Sequence, residues 1–201
     1  MMDRREHQVG ASRRAIRADH WARYSFAAKH VKPGHIVLDA LCGVGYGSHI
    51  LAGAKPRAVY AFDRSKEAIE YAQRHWSEPA INYRIMDYGD FDYPSHLFDL
   101  VTCFEAIEHI DGALGLLASF SLSMKEGGYL LVSSPNELRQ PWSHQRYPYH
   151  KRHYTPAELE ALLNQCGFKV TNWVSQSSKQ AGRFFQQGAE GAIMMAIARK
   201  Q

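Results

Sequence analysis

Four acidic residues, Asp39, Asp63, Asp87 and Glu105, each close a short apolar run, and Glu108-His109 follows three residues beyond the last of them. The spaced carboxylates suit a ligand rich in hydroxyl and amine donors. Asp63 stands about 20 residues past a glycine turn, the spacing at which a carboxylate reaches ribose hydroxyls in dinucleotide-binding folds. Asp87 can accept a hydrogen bond from an exocyclic amine such as that of adenine, and Asp39 can draw an ammonium group, directly or through water. A ligand with adenine, ribose and a cationic amino acid end satisfies all three, whereas so many carboxylates disfavour a pyrophosphate. His109, with an ordinary imidazole pKa of about 6.5 and Glu108 beside it, is the candidate base for proton transfer near neutrality.

The glycine turn is Val37-Leu-Asp-Ala-Leu-Cys-Gly-Val-Gly-Tyr-Gly47. Gly43, Gly45 and Gly47 let the backbone approach a ligand, and the helix that opens at Tyr46 aims its first N–H groups at the same space. A tight strand-to-helix turn without a ligand would look the same; the acids downstream decide between the two. Glu105-Ala-Ile-Glu108-His109 also has metal-ligand chemistry, with a further ligand from His150 or His153 in Tyr149-His-Lys-Arg-His-Tyr154. An oxygen-preferring ion such as magnesium fits if His109 is the sole nitrogen donor; zinc, manganese or iron fits if a second histidine joins.

The elements that must position these residues alternate between apolar strands and amphipathic helices, the pattern of a parallel sheet with helices on both faces. Strands are expected near His35–Ala40, Arg57–Phe62, Ile81–Met86, Phe98–Phe104, Gly128–Ser134, Phe168–Ser175 and Ala192–Ala198. Helices are expected near Arg13–His30, Tyr46–Ala52, Ser65–His75, Asp111–Met124 and Pro156–Cys166, with Ser65 and Thr155 as N-caps and Gly167 as the stop of the last. The polar stretch from Ser175 to Gly191 reads as a surface connection. Ligands of such a sheet bind beyond the carboxyl ends of the strands, where the four acids fall.

Length and composition are those of one globular domain over residues 1–201, with an N-terminal helical segment 1–34 and a loop 136–154 on the ligand side: 201 residues, 45% hydrophobic and 22% charged. The three cysteines, Cys42, Cys103 and Cys166, lack the close pairing of a zinc knuckle or redox motif, so buried thiols in a reducing compartment are expected. No apolar run reaches the roughly 18–20 residues of a membrane span, and the basic start lacks a signal-peptide core, which points to the cytoplasm. Much of the formal charge of +4 comes from Arg4, Arg5, Arg13, Arg14, Arg17 and Arg23, either a solvated basic helix or an arm for an anionic partner.

Taken together, these segments resemble the class I S-adenosylmethionine-dependent methyltransferases, in particular the ubiquinone-biosynthesis-like O-methyltransferase branch. Val37–Ser48 resembles that family's first motif and Ala61–Ala72 its second; Phe98–Ile110 is similar to the fourth, and Met124–Asn136 to the turn and fifth strand after it. Arg23-Tyr-Ser-Phe-Ala27 resembles the family's initial helix. The resemblance implies a Rossmann-like α/β fold: a seven-stranded, mostly parallel sheet of order 3-2-1-4-5-7-6, last strand antiparallel, with helices on both faces. It implies S-adenosyl-L-methionine as cofactor, with Gly43 and Gly45 flanking its methionine part, Asp63 on the ribose, Asp87 on the adenine amine, and Tyr24 and Glu105 at its amino acid end. Tyr88 either stacks on the adenine or fills a loop. Relatives that hold a divalent ion through an E-x-x-E-H group imply Glu105, Glu108, His109 and His150 as the corresponding ligands. The loop 136–154, with Trp142, Arg146, Tyr147 and Tyr149, suits a small hydroxylated acceptor, a phenol, sugar or glycan-linked metabolite carrying negative charge. A nucleic-acid methyltransferase acting on an RNA 2′-hydroxyl or a base, and a cofactor-binding protein without catalysis, are the alternatives. Oligomeric state leaves no trace in the sequence.

Overall fold

A computed structural model describes residues 8–177 and 185–201. Its elements in chain order are α1 (Ala18–Ala28), β1 (Ile36–Ala40), α2 (Tyr46–Ala52), β2 (Ala58–Asp63), α3 (Lys66–His75), β3 (Ile81–Ile85), β4 (Phe98–Phe104), α4 (Ala113–Ser123), β5 (Met124–Pro135), α5 (Pro156–Gln165), β6 (Phe168–Gln176), β7 (Gln186–Gln187) and β8 (Ile193–Lys200). Single turns of 3-10 helix at Arg13–Ala15, Tyr88–Asp90 and Ile107–His109 complete the set.

All strands share one sheet, in the order β3-β2-β1-β4-β5-β8-β6-β7. The first five pair in parallel, and β8 runs antiparallel to both β5 and β6. The seven long strands thus follow the expected order. Among the described residues the strand count is eight instead of seven, because Gln186 and Gln187 pair with Ser175 and Val174 as a short edge strand within the stretch expected to be a plain connection. Residues 178–184 of that stretch lie outside the described residues.

Neighbouring strand residues point to opposite faces, so each central strand feeds two cores. Leu38, Val101 and Leu130 pack on one side with Leu117 and Phe120 of α4 and Leu159 and Leu163 of α5. Val37, Leu100 and Leu131 pack on the other with Ala27 of α1 and Leu51 of α2. Helix starts follow local chemistry. Ser65 Oγ accepts from Ala68 N–H at 3.2 Å, and Thr155 and Glu158 form a reciprocal capping box before Pro156.

The initial helix is shorter than its expected span of Arg13–His30. Ile16 and Arg17 are extended, since Ile16 drops into the core with 3% exposure and Arg17 turns back to Asp19. β5 begins earlier than expected, at Met124, which pairs with Phe98 ahead of an irregularity in the β4–β5 register. The three cysteines are buried and form no disulfide. Among the described residues, no helix is long and apolar enough to cross a membrane.

Candidate active site

The carboxyl ends of β1 to β5 open onto a cavity of about 1130 Å³. Its wall follows from the topology: Gly43 and Val44 after β1, Asp63 at the end of β2, Asp87 and Tyr88 after β3, and Glu105, Glu108 and His109 after β4. Tyr24 and His20 of α1 close one side, and Gln140 and Arg146 to His150 close the other.

Two non-glycine residues at this edge have left-handed backbones, Leu41 after β1 (φ 54°) and Glu105 after β4 (φ 50°). Such positions store strain and cluster where a chain must bend sharply around a ligand. The bend at Glu105 is held by Ser133 of the adjacent strand: the Glu105 N–H donates to the Ser133 carbonyl at 3.1 Å, and Ser133 Oγ–H donates to Glu105 Oε1 at 2.9 Å.

Asp63 ties two loops of the cavity wall together. Its carboxylate accepts from the N–H of Gly43 and from the N–H of Ser65, each at 2.9 Å. Each oxygen keeps acceptor capacity for a ligand hydroxyl. Asp87 accepts from Gly89 N–H at 3.1 Å and faces the cavity, with Tyr88 both lining it and packing on the core beside α4.

Three of the expected residues stand behind the cavity wall. Asp39 does not line the cavity; it is fully buried behind the glycine turn and accepts from Tyr24, Ser48 and Thr102 hydroxyls at 3.0, 2.6 and 2.9 Å. It therefore fixes the wall through these three hydroxyls. Gly45 likewise faces away from the cavity: at φ 86° it packs so tightly on α3 and β3 that a Cβ would lie 2.5 Å from Ala72 Cβ and 2.6 Å from Tyr83 Oη. Gly47 gives way to the Tyr24 ring, which an added Cβ would meet at 2.1 Å. Two of the three glycines thus serve packing, and Gly43 is the one that lines the pocket.

Glu108 is 1% exposed, and its Oε2 has no hydrogen-bond partner. Burial first, and then the charge of Glu105, hold its carboxyl well above the usual range. His109 and His150 stand edge to face with ring centroids 4.6 Å apart, and one ligand atom from each of Glu108, His109 and His150 lies within 4.8 Å of the other two. The structure does not bring Glu105 into that group, because its carboxylate is turned to Ser133 on β5. The loop 136–154 is pinned at its base by a bridge between Asn136 and Tyr154, and again at its middle, where Lys151 N–H donates to the Glu108 carbonyl at 2.7 Å.

Arg23 escaped the sequence reading, which grouped it with the arginines of a solvated helix or an anion-binding arm. It is 1% exposed, donates to Gln176 Oε1 at 2.5 Å, lies 3.6 Å from Asp19, and leaves one buried guanidinium nitrogen without a partner. Asp19 four residues earlier was the signal available. Arg17 is likewise paired with Asp19, and Arg13 covers the Trp21 ring, so three of the six arginines are engaged within the protein. Arg4 and Arg5 lie outside the described residues.

This sheet order, with an acid-lined cavity at the carboxyl ends of its first four strands, defines a class I methyltransferase fold. The chain belongs to the methyltransferase domain family, which matches residues 11–172. It is 29% identical over 143 residues to a probable S-adenosylmethionine-dependent methyltransferase of Mycolicibacterium smegmatis, covering 70% of this chain and 54% of that protein. It is 34% identical over 116 residues to a ubiquinone biosynthesis O-methyltransferase of Xanthomonas campestris pv. campestris, covering 55% of this chain and 47% of that protein. The matched region spans about half the length of these relatives. Among solved structures, an S-adenosylmethionine-dependent methyltransferase from Mesorhizobium loti shares the fold with a TM-score of 0.74 at 15% identity, covering 91% of this chain and 98% of that one.

Proposed function

We propose that the protein transfers the methyl group of S-adenosyl-L-methionine to a hydroxyl of a small acceptor, a phenol, sugar or glycan-linked metabolite. The observation that carries this reading is the placement of His109 and buried Glu108 between the carboxylate wall and the aromatic, basic loop. A sulfonium is already activated, so the protein has to hold the acceptor in line with the methyl group and remove one proton. Asp63 and Asp87 orient the ribose and adenine; Tyr24 and Glu105 flank the amino acid end. The ring of Tyr147 and the guanidinium of Arg146 offer a stacking face and a positive charge to the acceptor. His109 takes the hydroxyl proton.

Glu108, His109 and His150 also fit a divalent cation, since they converge and Glu108 Oε2 is a buried oxygen without a partner. Two imidazoles and one carboxylate favour zinc, manganese or iron over magnesium. Such an ion, when bound, supplies Lewis acidity that makes the acceptor hydroxyl easier to deprotonate.

A screen with labelled methyl donor across phenols, sugars, nucleotides and RNA tests the proposal. Label on a small hydroxylated compound is the expected result; label on RNA alone, or on amines alone, would overturn it.

Asp63→Ala is expected to weaken cofactor binding by about 1–3 kcal/mol, the scale of a lost buried hydrogen-bonding pair, or about 5- to 150-fold in Kd. Calorimetry that finds the affinity unchanged removes Asp63 from the ribose.

Cofactor binding should also depend on pH through Asp39. Burial pushes this carboxyl up to about 6, against the three hydroxyl donors that lower it. A raised acid pKa means that the folded, ligand-free protein holds the proton more tightly, so below about pH 6 Asp39 begins neutral. The cationic cofactor favours the ionised form, so binding there must expel a proton, and affinity should rise with pH up to about 6 and then level off. Calorimetry in buffers of different ionisation enthalpy reads the released proton; a Kd flat from pH 5 to 7 would contradict this.

A further inference from the structure

Residues 139–153 of the loop hold three arginines and one lysine and no aspartate or glutamate. Three of these four cations are engaged away from the cavity. Lys151 lies 3.4 Å from Asp111, Arg152 donates to Glu158 at 2.8 Å, and Arg139 donates to the Glu190 carbonyl at 2.9 Å. Arg146 alone of the four lines the cavity, and among the described residues its guanidinium has no carboxylate partner. It stands over the Tyr147 ring, 5.6 Å from the centroid. The other arginines of the cavity belong to other elements: Arg17 precedes α1 and is bound by Asp19 through two hydrogen bonds, and Arg64 follows β2. The base of the Arg146 side chain is built. The N–H groups of Arg146 and Tyr147 both donate to the Ser143 carbonyl, at 3.1 and 2.9 Å. The Tyr147 ring stacks on His150 with centroids 5.2 Å apart and packs on His153 at 4.5 Å, while its hydroxyl donates to Gln140 Oε1 at 3.3 Å. A cation carried on an ordered base loses less freedom when it binds an anion.

We propose that Arg146 is the specificity-determining residue of the acceptor site and that the acceptor carries a carboxylate, held by the Arg146 guanidinium. The inference rests on the methyl-transfer reading above, with which it makes the acceptor a hydroxy acid. A guanidinium offers two parallel N–H groups to a planar carboxylate, and such charge-assisted pairs are stronger than neutral hydrogen bonds. Charge count selects a carboxylate over a phosphate. One unpaired cation neutralises one negative charge, whereas a phosphate brings a second toward Glu105 and Glu108, which line the same cavity. The cavity is then polarised in two directions. Asp63 and Asp87 belong to the side that suits the cationic methyl donor, and Arg146 to the side that suits an anionic acceptor. The carboxylate is held and stays unmethylated: the acceptor hydroxyl oxygen takes the methyl group, its proton goes to His109, and the donor sulfur keeps the bonding pair as a thioether.

Initial rates with labelled methyl donor compare matched pairs: salicylate with salicylamide, gallate with gallamide, glucuronate with glucose, hydroquinone monophosphate with hydroquinone, and para-aminobenzoate with its amide. The expected result is a carboxylate used with kcat/KM about 10- to 150-fold above its neutral partner, the scale of a hydrogen bond to a charged group. In Arg146→Gln that ratio should fall to near one through KM for the acid. Arg146→Lys keeps the charge without the fork and should recover part of it. Arg152→Gln removes a charge from the same loop at a pair outside the cavity and should leave the ratio as it is. A ratio that falls equally in Arg146→Gln and Arg152→Gln overturns the proposal, as does a neutral partner used as well as its acid, or a preference confined to the phosphate. Should no pair turn over, the same acids are titrated by calorimetry into protein loaded with S-adenosylhomocysteine: binding that Arg146→Gln abolishes supports the contact, and binding of none overturns it. Label on neutral phenols or sugars alone keeps the hydroxyl reading and removes the carboxylate. An Arg146-dependent preference for para-aminobenzoate, with the hydroxy compounds unlabelled, keeps the carboxylate and removes the hydroxyl.

Discussion

His109→Ala should lower kcat by about two to four orders of magnitude, the usual contribution of a positioned acid–base group, while the Kd for S-adenosylmethionine stays within about twofold. The split follows from geometry. His109 sits after β4 on the proposed acceptor side of the cavity, whereas Asp63 and Gly43, to which the proposal assigns the cofactor, are held by each other and by Ser65. Removing the imidazole also frees the Tyr149 carbonyl, but Lys151 N–H still ties the loop to Glu108, so the loop should keep its place. Single-turnover methyl transfer, with cofactor binding measured separately, checks the result. A variant that retains turnover and an unaltered pH profile takes His109 out of the mechanism.

Gly45→Ala should cost about 2–5 kcal/mol of stability and with it the cofactor site. Two penalties combine. A side chain at φ 86° costs about 1–2 kcal/mol by itself, and forcing a Cβ to within 2.5 Å of Ala72 and 2.6 Å of Tyr83 Oη adds about 1–3 kcal/mol of overpacking. The Tyr83 hydroxyl cannot simply withdraw, because it lies 3.1 Å from both the Gly45 and Trp76 carbonyls. For a chain of this size the melting temperature should fall by about 4–20 °C. Gly34→Ala is the internal control, with the same backbone sign at φ 87° but nothing within 4 Å of the added Cβ. Equal melting temperatures for the two variants would refute the packing role of Gly45.

The sheet was legible because its causes are local. Apolar runs of strand length, the N-caps at Ser65 and Thr155 and the stop at Gly167 each act on their own neighbourhood, whereas the strand order was implied by the resemblance to a known family. The placement of Asp63, Asp87, Glu105, Glu108 and His109 around one cavity follows from parallel pairing, since every parallel strand delivers its carboxyl end to one edge. Exact ends were less legible. Ile16 breaks the first helix because the core has room for it, and Met124 extends β5 because Phe98 lies beside it.

What the sequence by itself determined is thus the fold, the edge that carries the chemistry and the types of group found there. Only the tertiary structure decided what each group does. Asp39 supports the wall without touching the cavity because Tyr24, Ser48 and Thr102 close around it, and Gly45 and Gly47 make room for Tyr83, Ala72 and Tyr24 instead of a ligand. Arg23 is buried against Gln176, 153 positions away. The physical reason is common to all of these. A residue's type fixes which bonds it can make, but burial and hydrogen-bond direction are set by neighbours that only the folded chain brings within reach.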